Sequence, residues 1–172
     1  MCGIVAYNGS KNAIPIVTAG LKRLEYRGYD SAGIAYMLNN DLKVIKQSGK
    51  VNLLEKNTPK KLSSNISMGH TRWATHGVPS DKNAHPHLSM NNNLAIVHNG
   101  IIENYTAIKE GLKKRGYVFK SDTDTEVLIN LIDDVKRNEN TNLFQAVQLA
   151  LSQIIGAYAI VILDTENPGK LV

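Results

Sequence analysis

Cysteine, tryptophan and phenylalanine are nearly missing from this chain of 172 residues, which has one, one and two of them. Cys2 stands alone and cannot close an internal disulfide, which excludes a disulfide-stapled secreted scaffold and points to a reducing compartment. Long apolar runs are lacking too: Ile154 to Leu163 is ten residues and contains Gly156, whereas a membrane helix needs about 20. Met1 to Tyr7 has neither the basic segment nor the long apolar core of a secretory signal, so a cytoplasmic location is expected. Acidic residues are outnumbered, 15 against 20 Lys and Arg, for a net charge of +5. The basic residues are scattered except at Lys60-Lys61 and Lys113-Lys114-Arg115, and no aromatic residues interleave with them as a nucleic-acid stacking platform requires. The sequence therefore predicts neither a nucleic-acid nor a membrane partner. Hydrophobic residues at 42% and charged residues at 20% match globular usage and exclude disordered, collagen-like and coiled-coil classes. The length suits one domain.

Strand and helix patterns occur in mixed order. Gly3 to Tyr7, followed by Asn8-Gly9, predicts a buried strand into a turn, and Ile14, Val17, Leu21 and Leu24 a helix capped by Asn12 and ended by Gly28. Ser31 to Leu38 and Leu42 to Gln47 flank Asn39-Asn40-Asp41 as a hairpin. Strands are expected over Ile66 to Thr71 and Leu94 to His98, joined by a long ordered loop from Trp73 to Asn93, and such loops are commonly functional. Helices follow over Asn104 to Arg115, Thr125 to Lys136 and Asn142 to Gln153, then a strand over Tyr158 to Leu163 and a returning one from Lys170. Thr123 and Glu126 have the spacing of a capping box, which places Asp124 at the first helical position. The chain ends inside that last hairpin, which predicts a fragment.

The chemistry centres on Cys2. Removal of Met1 would make Cys2 the amino terminus, with its amine beside its own thiol. An α-amine with a pKa of about 7.7 to 8.0 is partly neutral near pH 7 and can take the thiol proton, the arrangement of N-terminal nucleophiles. A small buried hydrophobe is the bland alternative. All five histidines, His70, His76, His85, His87 and His98, fall within one stretch. They lack helical His-Glu-Xaa-Xaa-His spacing and cysteine pairs, so a metal centre is the lesser reading and hydrogen-bonded structural histidines the greater. Arg72 offers a two-pronged donor for a carboxylate or a surface stack on Trp73. Asn99 beside Gly100 offers oxyanion donors or a plain Asn-Gly turn.

Taken together, Cys2-Gly3-Ile4-Val5, Tyr26 to Gly33, Thr71 to Gly77, Asn83 to His87, His98 to Asn104 and Thr123 to Glu126 resemble the class II, N-terminal-nucleophile glutamine amidotransferases. Within that family they look most like the glutaminase domains that serve glucosamine 6-phosphate synthesis from fructose 6-phosphate. The resemblance implies a four-layer αββα sandwich, incomplete at its C-terminus, with residues 1–172 forming a truncated glutaminase domain that lacks the synthase/isomerase domains. It implies hydrolysis of L-glutamine with Cys2 as nucleophile and Asn99 and Gly100 at the oxyanion. Arg72, Trp73, Thr75, His76 and Asp124 would bind substrate, without metal or cofactor, in an intact enzyme that is a homo-oligomer. The alternatives are another class II amidotransferase, a histidine-cluster metal module and, last, a basic nucleic-acid binder.

Overall fold

The computed structural model describes residues 2–73 and 78–172. Strand β1 (Gly3–Asn8) leads into helix α1 (Ala13–Leu24), where Asn12 caps the amino end by accepting the Ile14 N–H at 3.2 Å. Pro15 fits in the first turn, where its missing N–H costs nothing. A short 3₁₀ turn (Glu25–Arg27) ends at Gly28, and strands β2 (Ser31–Leu38) and β3 (Asp41–Ser48) form the expected hairpin. Its tip has two residues rather than three, because Asn39 and Asn40 both take positive φ, 52° and 66°, the left-handed pair that matches strand twist. Helix α2 (Val51–Asn57) was not foreseen from the sequence. It buries Val51 and Leu54 alone, one turn apart, a pattern too short to register as periodicity.

Strand β4 (Ile66–Arg72) is followed, after the undescribed residues, by a 3₁₀ turn (Asp81–Asn83), the two-residue strand β5 (His87–Leu88) and the long strand β6 (Leu94–Ile102). Helices α3 (Tyr105–Lys114), α4 (Asp124–Asn138) and α5 (Leu143–Leu151) precede β7 (Gly156–Asp164). The returning strand amounts to a single bridge between Leu163 and Leu171. Among the described residues these strands form two antiparallel sheets, in the orders β1-β4-β2-β3 and β5-β6-β7.

Three apolar clusters fill the gaps between four layers, as the expected αββα sandwich requires. Ile14, Val17 and Leu21 of α1 and Leu54 of α2 meet Ile34 and Tyr36 of β2. Leu94 and Ile96 of β6 and Ile162 of β7 meet the three later helices. Between the sheets lie Ala35, Met37, Ile66, Met68, Ala95, Val97 and Leu163. Strand period accounts for the division: successive side chains face opposite sides, so Ile34 faces a helix and Ala35 faces the other sheet. Leu21, Ile34 and Leu54 are fully buried, each contributing about 1.5–3 kcal/mol.

Candidate active site

The inter-sheet layer turns polar at one end. On β4 the residues on Met68's side are next His70 and then Arg72, and on β6 Val97 is followed on its side by Asn99. Cys2 precedes Ile4 by one strand period, and β1 is locked to β4 by the pair Gly3↔Thr71 and by the Gly3 N–H donating to Thr71 Oγ1 at 3.1 Å. Antiparallel pairing therefore converges Cys2, His70, Arg72 and Asn99 on one cavity of about 290 Å³, which Trp73, Gly100 and Asp124 also line.

Around Cys2 the hydrogen bonds have a definite sense. The Trp73 backbone N–H donates to Cys2 Sγ at 3.2 Å, and Asn99 Nδ2 donates to the Cys2 carbonyl at 3.3 Å. The amide is held in that orientation by His70, whose Nε2 lies 2.9 Å from Asn99 Oδ1 and 3.0 Å from the His98 carbonyl. Both partners only accept, so Nε2 carries the proton. Burial lowers the His70 pKa to about 4, which keeps the ring neutral at pH 7. Strand β6 does not end at His98 as expected. It continues through the pairs Asn99↔Ala159 and Gly100↔Tyr158 to Ile102, which excludes the Asn-Gly turn. Gly100 has φ +133°, and a Cβ there would collide with the Ala157 carbonyl, so only glycine lets the strand pass through this geometry.

Arg72 is 4% exposed, not the surface stack on Trp73. Burial lowers its pKa, while the charges of Cys2, Asp30 and Asp124 oppose that shift. The Tyr26–Gly33 segment supports this residue from behind. A Cβ on Gly28 would press on the Arg72 backbone, the Asp30 N–H donates to the Arg72 carbonyl at 3.1 Å, and Tyr29 packs edge-on against Trp73. Arg27 of the same segment lines the cavity; the sequence block was apparent, but its supporting role was not.

Asp124 enters from helix α4. Thr123 Oγ1 accepts the Glu126 N–H at 3.3 Å, half of the expected capping box. The other half is absent: Glu126 reaches past Thr123 to the N–H groups of Lys120 and Ser121, at 2.8 and 2.6 Å, and Ser121 Oγ accepts the Thr123 N–H instead. Asp124 is thus buried at the first helical position, its Oδ2 accepting the Ile102 N–H at 2.8 Å. That bond ties the helix end to the strand that carries Asn99.

Four histidines, His70, His85, His87 and His98, are buried beside the cavity, and desolvation lowers the pKa of each. They stack on one another and bond to hydroxyls, His87 to Thr123 and both His85 and His98 to Thr125. Among the described residues, no three His, Cys, Asp or Glu side chains are placed to hold a metal ion. Thr75 and His76, expected to bind substrate, lie outside the described residues.

This cavity and fold place the chain in a known class. A family model described as "Glutamine amidotransferase domain" matches residues 70–172, and the chain belongs to that family. Two solved structures share the fold. One is the glutamine phosphoribosylpyrophosphate amidotransferase from B. subtilis complexed with ADP and GMP, 31% identical, TM-score 0.81, covering 96% of this chain and 35% of that one. The other is the allosteric regulatory enzyme of purine biosynthesis, 32% identical, TM-score 0.83, covering 96% and 36%. Both support the N-terminal-nucleophile, class II architecture. Among curated proteins, the glutamine–fructose-6-phosphate aminotransferase [isomerizing] of Bacteroides thetaiotaomicron is 56% identical over 174 residues, covering 100% of this chain. The chain spans 28% of that relative's length.

Proposed function

We propose that the chain hydrolyses L-glutamine to glutamate and ammonia through a γ-glutamyl thioester on Cys2. What carries this reading is one cavity that holds a thiol, a fixed amide donor, a buried guanidinium and a buried carboxylate. With Met1 removed, the Cys2 α-amine takes the Sγ proton and sulfur attacks the side-chain amide carbon of glutamine. Asn99 Nδ2 and the Gly100 N–H stabilise the resulting oxyanion, a contribution of the kind worth about 2.7–4 kcal/mol per donor. The amine returns its proton to the leaving nitrogen, ammonia departs, and water adds to the thioester, releasing glutamate and restoring the thiol. Arg72 takes the α-carboxylate and Asp124 the α-ammonium, with Trp73, Thr75 and His76 around them. Opposite charges at the far end of the cavity select glutamine over asparagine by reach.

In the intact protein the ammonia serves glucosamine 6-phosphate synthesis from fructose 6-phosphate on a synthase/isomerase domain, within a cytoplasmic homo-oligomer. The name of the Bacteroides relative favours this acceptor, and a different class II acceptor is the second reading, favoured by the phosphoribosylpyrophosphate amidotransferase and the enzyme of purine biosynthesis. The test is intact mass after incubation with a glutamine-like electrophile. The expected result is loss of Met1 and a single adduct on Cys2, with glutamine protecting. Retention of Met1 with no adduct, or an adduct elsewhere, would overturn the assignment.

A further inference from the structure

His98 lies beside Asn99 on β6, but strand alternation turns it away from the inter-sheet layer and toward the start of α4. It is 3% exposed and lines the same cavity as Cys2. Its proton position follows from its neighbours. The His98 backbone N–H donates to His85 Nδ1 at 3.3 Å, so neutral His85 carries its proton on Nε2, which lies 3.4 Å from Thr125 Oγ1. Thr125 accepts there, and its hydroxyl proton is directed to His98 Nδ1 at 2.8 Å. A neutral His98 that accepts at Nδ1 has its proton on Nε2. That buried Nε2 has no hydrogen-bond partner among the described residues. A donor buried without an acceptor is costly, and here the bonds to His85 and Thr125 fix one on a residue that lines the cavity.

We propose that His98 binds substrate, its Nε2–H donating to an α-carboxylate oxygen of the bound glutamine. The role rests on the glutaminase reading. The choice of oxygen follows from Asp124, whose charge acts on His98: the carboxylate is attached to the same carbon as the ammonium that Asp124 binds, whereas the reacting amide lies toward Cys2 and Asn99. Arg72 and His98 then hold the carboxylate from two strands, β4 and β6.

The experiment compares two amides at this position. In His98→Asn the side-chain amide stays near Thr125, where Nδ1 was, and leaves the Nε2 site empty. In His98→Gln an amide N–H reaches the Nε2 site. His98→Asn should raise KM for glutamine by about ten- to a hundred-fold, the scale of a hydrogen bond to a charged group, with a much smaller fall in kcat. His98→Gln should recover most of that loss. Wild-type KM in His98→Asn, equal damage in both variants, or a loss confined to kcat would overturn the assignment. Thermal melting shows whether each variant folds, and if His98→Asn fails to fold, Thr125→Val tests the same chain of bonds by freeing the proton position. A wild-type chain that neither binds nor hydrolyses glutamine would instead remove the glutaminase reading itself, and this role with it.

Discussion

The two ends of the inter-sheet layer are built from the same strands and the same faces, yet one is core and the other is chemistry. On β4 the sequence Ile66, Met68, His70, Arg72 passes from apolar to polar at constant orientation, and on β6 Ala95 and Val97 give way to Asn99. The backbone ladder fixes both ends equally, since side-chain direction alternates strictly along a strand. A catalytic group thus inherits the rigidity of the core without extra scaffolding. A one-residue slip of β4 against β1 would turn His70 and Arg72 toward α1, so the residues that pin register matter as much as those that react.

Substitutions at opposite ends should separate stability from activity. Cys2→Ala should abolish glutamine hydrolysis and leave the melting curve nearly unchanged, while Met68→Ala, at a fully buried site, should cost about 2–5 kcal/mol of stability without changing which residues react. Ammonia release by correctly processed Cys2→Ala would end the nucleophile assignment. Asn99→Ala should lower kcat by about 10²- to 10³-fold with little change in KM, and an unaltered kcat would deny it the oxyanion.

The polar end also makes the fold sensitive to acid, which the apolar end cannot. His70 has a pKa of about 4 in the folded chain and an ordinary one near 6.5 when unfolded. Between these values the unfolded chain binds a proton that the folded chain refuses, so stability is full above pH 6.5 and is lost as pH falls toward 4. His70 alone should account for about 2 kcal/mol of loss between pH 7 and 5, and His85, His87 and His98 act with the same sign. Urea unfolding at the two pH values measures the loss. His70→Gln, which keeps an amide N–H for Asn99, should reduce the difference by His70's share and leave the part due to the other three histidines. Arg72→Lys should weaken glutamine binding by roughly 1–3 kcal/mol, because one ammonium cannot reproduce a two-point contact, and titration calorimetry would show it.

Much of this was legible from residue patterns. Cys2, Arg72, Asn99 and Asp124 each have a plain structural reading by residue type alone; they become site candidates through the resemblance of their sequence blocks to the class II family, and the fold brings all four to one cavity. The strands and long helices declared themselves by period. What stayed hidden depends on tertiary contact. Asn99-Gly100 reads as a turn in isolation, and only pairing with β7 shows a continuing strand. The capping box was right at Thr123 and wrong at Glu126, because Ser121 supplied the competing hydroxyl. His70 and His98 were indistinguishable from structural histidines, since their meaning resides in which nitrogen carries the proton.

The smallest expected effect comes from the nearest neighbour of a proposed binding residue. Asp122 and Asp124 differ by two positions and share a charge, but the start of α4 separates their surroundings. Asp124 is buried in the cavity wall and bonded to the Ile102 N–H. Asp122 points out to solvent, bonded to Asn83 and paired with Lys82 at 2.7 Å, which lowers its pKa. An exposed pair of that kind is screened by water and contributes little. Asp124→Asn keeps an acceptor for Ile102 but removes the charge proposed to face the substrate ammonium, so KM should rise by about tenfold, a loss of ~1.4 kcal/mol. Asp122→Asn keeps the shape and loses only a screened contact, so KM and melting temperature should both stay at wild-type values. A raised KM in Asp122→Asn with Asp124→Asn silent would move the ammonium site outward. Two silent variants would leave Asp124 as a helix-end charge that favours the amino end of α4.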